Sequence, residues 1–356
     1  MPVCDLSIEL EGENRTFKPG DPIKGTLEVQ VDSSCTCRQL TVEAGWKTHG
    51  KGNRASGSGP ADLLDAGDWE AGRKHRYPFS LNAPSGPISY HGYYLNVERV
   101  VRARADIPWA LDPKAEEEFV LLAGPAEGYD FGPNHTDPEK AFKSAATYSG
   151  CMKGAGVFFL LAGIVCDAIS APLKSVGGLI IGTGLFFIGV LMALFAAWRE
   201  KGFKALGIGG LEVKPLVAYP GQAIEVELSL APTEVVKISD PRITLKGQEI
   251  VAKGSGTSKT TYRHTLYERT RKLSGPEGEV RAGEKHILRT SLALPPDAAP
   301  SFDASDNHLT WTVNIQVGIE NYPDWNRTIQ LSVLPAGFKN LKSDSGDLVE
   351  IDGASQ

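Results

Sequence analysis

The sequence has no run of basic residues, no apolar leader at its start, no even set of closely spaced cysteines, and none of the short motifs on which hydrolytic or metal chemistry is commonly built. Each absence excludes something. With 37 lysines and arginines against 43 aspartates and glutamates the net charge is −6. Without basic clusters interleaved with aromatic residues nothing can track a phosphate backbone, so nucleic acid is not an expected partner. The five cysteines, Cys4, Cys35, Cys37, Cys151 and Cys166, are odd in number and dispersed over 356 residues. That is no disulfide framework, and a reducing compartment is expected. The opening MPVCDLSIELEGENRTF lacks the charged start and long apolar core of a secretory signal. None of the seven histidines stands in an i, i+4 or HExxH arrangement, and no GxSxG is present. No catalytic residue, metal ligand or cofactor is therefore expected.

What is present is period-two alternation. Leu6, Ile8 and Leu10, then Leu27, Val29 and Val31, then Leu40, Val42, Ala44 and Trp46, and later Val97, Val101, Ala103, Ala105 and Ile107 predict strands with one face in a core. Turn clusters at 19–22, 50–60 and 84–87 separate them. After residue 203 the same grammar returns in register. FKPGDPIKGTLEV at 17–29 matches AYPGQAIEVELSL at 218–230, and AGRKHRYPFSLNAP at 71–84 matches AGEKHILRTSLALP at 282–295. His75 and His286 fall on matching positions, which marks them as structural. The chain reads as two copies of one β-unit.

Between the copies lie two apolar stretches, GAGVFFLLAGIVCDAISAPL at 154–173 and SVGGLIIGTGLFFIGVLMALFAAW at 175–198. At about 1.5 Å per residue both are long enough for a hydrocarbon core of about 30 Å. The short link, with only Lys174, predicts a tight transmembrane hairpin. Lys140, Lys143 and Lys153 before it and Arg199, Lys201 and Lys204 after it put both β-domains and both termini on the cytoplasmic face of an inner or plasma membrane. Glycosylation sequons at Asn14, Asn134 and Asn326 then carry no weight.

The phrases FKPGDPIKGTLEVQV, CRQLTVEAGWKTHGKG and PISYHGYYLNVERVVRARADIPW, together with their second copy, resemble the arrestin-like family. The resemblance spans about 6–123 and 205–335, and the hairpin, a departure from soluble arrestins, fits a bacterial arrestin-like protein better than a eukaryotic one. It implies two immunoglobulin-like β-sandwiches end to end and a binding scaffold without a catalytic centre. The family's phosphate-sensing lysines and buried polar core have no clear counterpart in this sequence.

The expected organisation is an N-terminal arrestin-like β-sandwich (1–125), a linker (126–153), the hairpin (154–198), a C-terminal β-sandwich (203–335) and a disordered acidic tail (336–356). Two places carry candidate chemistry. In GWKTHGKGN, Lys47, His49 and Lys51 stand among glycines, and a flexible basic loop of this kind holds an anion or a lipid headgroup; the plain alternative is a strand end with Trp46 in the core. Asp167 is the ionisable group within the apolar stretches, read either as a functional group or as one reaching the far headgroups beside Ser170 and Pro172. Cys35 and Cys37 share one strand face and would be half a metal site, but no second pair completes it. The expected partners are a lipid bilayer and a protein of unknown identity. The expected function is a membrane-anchored adaptor, the alternatives being a self-assembling membrane-shaping protein or an accessory subunit of a transporter or enzyme.

Overall fold

The computed structural model describes residues 3–12, 14–124, 128–144, 150–171 and 176–336. The first unit contains β1 (Cys4–Leu10), β2 (Thr16–Phe17), β3 (Pro22–Val31), β4 (Cys35–Gly50), β5 (Ser56–Trp69), β6 (Lys74–Asn82), β7 (Tyr90–His91), β8 (Leu95–Asp106) and β9 (Lys114–Leu121). A three-stranded sheet in the order β1-β3-β6 packs on a sheet in the order β2-β9-β8-β4-β5, with β7 beside β8. Inward residues of both sheets, among them Ile23, Leu27, Leu40, Val42, Val101 and Phe119, form one buried cluster, which makes the unit a sandwich. Full burial of each such aliphatic side chain contributes roughly 1.5–3 kcal/mol.

Three helices follow, α1 (Pro138–Ser144), α2 (Gly150–Ser170) and α3 (Val176–Leu206). The second unit then contains β10 (Ile208–Lys214), β11 (Val217–Ala218), β12 (Ala223–Leu230), β13 (Val236–Lys253), β14 (Thr260–Lys272), β15 (Gly278–Val280), β16 (His286–Ala293), β17 (Phe302–Ala304), β18 (Asn307–Ile319) and β19 (Tyr322–Val333). Its sheets, β10-β12-β16 and β11-β19-β18-β13-β14, repeat the strand order of the first unit, β17 beside β18 matches β7 beside β8, and even the short parallel pairs β2/β9 and β11/β19 recur, while among the described residues β15 beside β13 is particular to the second unit. The Pro-Gly turn shows why. Gly20 and Gly221 both adopt positive φ, 86° and 80°, where a side chain is strained. Each turn is also closed by a side chain one residue on, Asp21 accepting from the Lys18 amide and Gln222 from the Tyr219 amide.

The centre of the chain departs from expectation in four respects. Among the described residues one helix is long and apolar enough to cross a membrane, α3, whose most apolar 18-residue stretch has a mean hydropathy of 2.5. The described apolar part of α2, Val157–Ser170, reaches only about 21 Å at about 1.5 Å per residue, so a second span is not established. The two helices do pack antiparallel: a Cβ on Gly163 would fall 2.6 Å from the Phe186 nitrogen, and one on Gly182 would fall 2.9 Å from the Asp167 nitrogen. Second, α3 does not stop at Trp198 but continues to Leu206, because Ala205 and Leu206 complete the core of the second sandwich. Third, the linker holds α1, whose Phe142 packs against that same core and whose carbonyl accepts from Arg327 on β19. Fourth, the Asp167 side chain lies against α3, at Gly182 and Thr183. The link at 172–175 and the tail at 337–356 lie outside the described residues.

Candidate functional site

The residues with the most unusual surroundings gather where the two sandwiches meet. Along β13 every second side chain, Ile243, Leu245, Gly247, Glu249 and Val251, is buried, so the strand's own alternation drives a carboxylate inward. Glu249 is fully buried and lies against the first unit. Its Oε1 accepts from the Tyr90 hydroxyl at 2.7 Å and the Tyr93 amide at 3.0 Å, and its Oε2 accepts from the Tyr94 amide at 2.7 Å. The loop closes this tightly around the carboxylate because residue 92 is glycine; a Cβ there would lie 2.0 Å from Oε1. Burial raises the Tyr90 phenol above its ordinary range, and the bond to Glu249 raises it further.

Asn53 makes the second clasp. Its side chain donates to the Gly254 carbonyl at 2.9 Å and to Asp306 Oδ2 at 2.8 Å and accepts from the Gly254 amide at 3.1 Å, while its carbonyl accepts from Asn307 Nδ2 at 2.8 Å. Between the clasps lies a dry cluster of Trp46, Leu95, Val97, Val251, Phe302, Ala304 and Leu309. Trp46 and Phe302 meet edge to face at 5.4 Å between centroids. The linker adds a third tie: the Phe131 carbonyl accepts from the Asp303 amide at 2.7 Å, and His135 Nε2 lies 3.1 Å from Ser332 Oγ.

The expected basic loop has a different form. Lys47 and His49 stand on the last residues of β4, because the β4 ladder with β8 continues to Gly50. Lys47 faces three carboxylates, Glu118 at 3.1 Å, Glu116 at 3.3 Å and Glu98 at 3.6 Å. Burial alone would lower its ammonium; the Glu118 and Glu116 contacts outweigh it and hold the group above the usual lysine range. His49 Nε2 contacts Glu98, and its Nδ1 meets Asn96 at 3.4 Å. Lys51 lies over the Tyr262 ring at 4.2 Å and the Tyr94 ring at 4.9 Å, one from each sandwich. The three residues therefore do not converge on one ligand: two belong to a charge network on the first sheet and the third to the junction.

Two buried groups went unnoticed in the sequence. Arg99 is 1% exposed, donates to the Gly86 carbonyl at 3.0 Å, and leaves Nε without a partner among the described residues; burial pulls it down to about 10, with Asp130 opposing. It shares the inward phase of β8 with Val97 and Val101, the same signal that marks Glu249. His135 and Ser332 border a groove of about 1220 Å³ between α1 and β10. Ser332 is fully buried, so the pair ties the linker to β19 and does not form an accessible nucleophile. Among the described residues no group of three or more His, Cys, Asp or Glu is arranged to hold a metal ion.

Asp167 lies between α2 and α3. Thr183 Oγ1 is 3.5 Å from its Oδ2, while Oδ1 is buried without a partner. Around it the helices turn apolar side chains outward: Phe158, Leu161, Ile169, Ile180, Phe187, Leu191 and Leu194 are each more than half exposed. At its other end α3 is fastened to the second sandwich, with Trp198 Nε1 donating to the Asn321 carbonyl at 2.9 Å and Gly202 against Tyr322.

No family model matches this chain. No curated protein matches it either. Among solved structures it is similar to the sporulation control protein Spo0M of Bacillus subtilis, with 12% identity over 75% of this chain and 91% of that one, at a TM-score of 0.29. A likeness at that level says nothing of what this chain binds.

Proposed function

We propose that the protein is a non-enzymatic, membrane-anchored adaptor in which two arrestin-like sandwiches, clasped into one body, are held at the cytoplasmic face of a bilayer by a two-span helical hairpin. One observation carries the reading. The helix whose apolar flank is exposed along most of its length ends with Leu206 fully buried in the core of the second sandwich. An exposed apolar belt of this kind is unstable in water and matched to lipid. The continuous helix makes the anchor and the domain a single rigid piece.

Close packing of α2 on α3 through Gly163 and Gly182 supports a paired insertion, since small residues let helices approach in lipid. The basic residues at the domain end of α3, Arg199, Lys201 and Lys204, support a cytoplasmic domain side. For α2 the shorter apolar stretch is offset by α3, against which Asp167 is shielded.

The test is proteolysis of sealed inside-out and right-side-out membrane vesicles carrying the full chain. Both sandwiches are expected to be cut in inside-out vesicles and protected in the others. Extraction of the intact protein by high salt or carbonate without detergent would overturn the anchor, and protection of one sandwich but not the other would overturn the hairpin.

A further inference from the structure

Each sandwich ends its larger sheet in a long strand whose outer edge has no neighbour among the described residues, β5 in the first and β14 in the second. The two edges carry opposite charge. β5 holds Asp62, Asp65 and Asp68 and no basic residue; β14 holds Arg263, Arg269, Arg271 and Lys272 against the single acid Glu268. Exposed edges normally bear charge so that copies do not pair edge to edge. That purpose is served by either sign alone. Here the signs forbid β5 on β5 and β14 on β14 while favouring β5 on β14.

The charges are also available. Arg263 and Arg269 are exposed and have no partner among the described residues. Among the described residues Asp62 is exposed and unpaired, Asp68 accepts only from the Thr36 hydroxyl, and Asp65 accepts from the Tyr77 hydroxyl, the Trp69 indole and the Ala66 amide, all neutral donors. Leu63, 62% exposed, stands between the acids on an otherwise polar edge. The edges belong to different sandwiches and extend away from the clasped junction, where β5 begins just after Asn53 and β14 begins just after Gly254, so one molecule cannot pair its own two edges without breaking that junction.

We infer that this face pair is a self-association surface: the basic edge β14 of one copy docks on the acidic edge β5 of the next. The contact is heterologous, so repetition gives an open row or a closed ring and not a two-fold dimer. Pro60 and the register shifts between β4 and β5 interrupt the backbone ladder on the acidic edge. Pairing is therefore short and charge-driven, and its affinity falls as the Debye length shrinks from about 10 Å at 0.1 M salt to about 3 Å at 1 M. The inference does not rest on the adaptor reading or on membrane insertion.

The experiment is sedimentation velocity of the full chain in detergent micelles, as a function of protein concentration and salt. Wild type is expected to form a concentration-dependent series of oligomers at 0.1 M salt that dissolves at 1 M. The pair Arg263→Glu with Arg269→Glu, and separately the pair Asp62→Lys with Asp68→Lys, should each lose the series. Mixing the two double variants should restore it, since each then offers the edge the other needs. Rescue on mixing also shows that both variants are folded. A wild type that remains monomeric at every concentration, a series unaffected by either pair, or a mixture that stays dissociated overturns the inference. So does capture of a foreign acidic protein on β14 while the wild type itself remains monomeric.

Discussion

Replacing Glu249 tests whether the two sandwiches act as one body. Glu249→Ala removes the acceptor for three donors: the Tyr90 hydroxyl and the Tyr93 and Tyr94 amides. Each donor left without a partner in a dry interface costs about 1–3 kcal/mol. The expected loss is therefore about 3–9 kcal/mol, set against a domain stability of roughly 5–15 kcal/mol. Glu249→Gln keeps the shape but turns an amide nitrogen toward one of the donors, which should cost about 1–3 kcal/mol. Tyr90→Phe removes only the hydroxyl donor, whose bond to a carboxylate contributes about 1.5–3 kcal/mol. The order Ala, then Gln and Phe, is the prediction. Denaturant unfolding of the full chain in detergent gives the free energies, and hydrogen exchange over residues 90–95 reports the junction directly, with rates expected to rise in the same order. If Glu249→Ala loses less than about 1 kcal/mol, or if exchange over 90–95 is unchanged, the carboxylate is not what closes the junction. A double-mutant cycle between positions 90 and 249 should give a coupling of about 1 kcal/mol or more.

Further outcomes follow from the same geometry. Gly92→Ala places a methyl group 2.0 Å from Glu249 Oε1 and should lower thermal stability and speed exchange over 90–95, while Gly184→Ala on α3, with open space around it and an ordinary helical backbone, should leave the junction closed. Leu206→Ala empties a fully buried site at the end of α3 and should cost about 2–5 kcal/mol in unfolding of the second sandwich, with little effect on the first. Burial pushes the thiols of Cys4 and Cys37 up from 9.0 to about 12 and about 11, so these two cysteines should resist alkylation at pH 8 until the chain is unfolded. Their linkage has a definite sign. Between pH 9 and 11 the unfolded chain loses these protons while the folded chain keeps them, so stability falls as pH rises through that window, and cysteine-to-serine variants should flatten the fall.

Much of the architecture was legible before any coordinate. Period-two alternation located β1, β3, β4 and β8 but missed β5, which starts at Ser56 inside the turn expected at 50–60, because its Gly, Ser and Asp residues form an exposed edge; the matching Pro-Gly phrases exposed a duplication that the sheet orders repeat. The apolar stretches announced helices but not their ends. Hydropathy weighs composition, and it stopped at Trp198, whereas the helix continues to Leu206 because its last turn has a core to enter. The basic phrase around His49 drew attention for its composition, yet Lys47 and His49 meet Glu98, Glu116 and Glu118, strand neighbours that lie 49 to 71 residues away, and Lys51 lies over two tyrosine rings. Glu249 and Arg99 were visible in principle as charges in the apolar phase of β13 and β8. What hid them is that alternation tells which side a residue faces, not what waits there.

The sequence by itself determined where the core-facing strands lie, that they come twice, and that an apolar segment separates the copies, because periodicity, turn chemistry and hydropathy are local properties of the chain. Only the tertiary structure decided that a buried carboxylate and an asparagine clasp the copies together, that α3 is rooted in the second core, and that the two free sheet edges carry opposite charge. Those are relations between segments tens to hundreds of residues apart, and they exist only once packing has brought the segments together or left their edges bare.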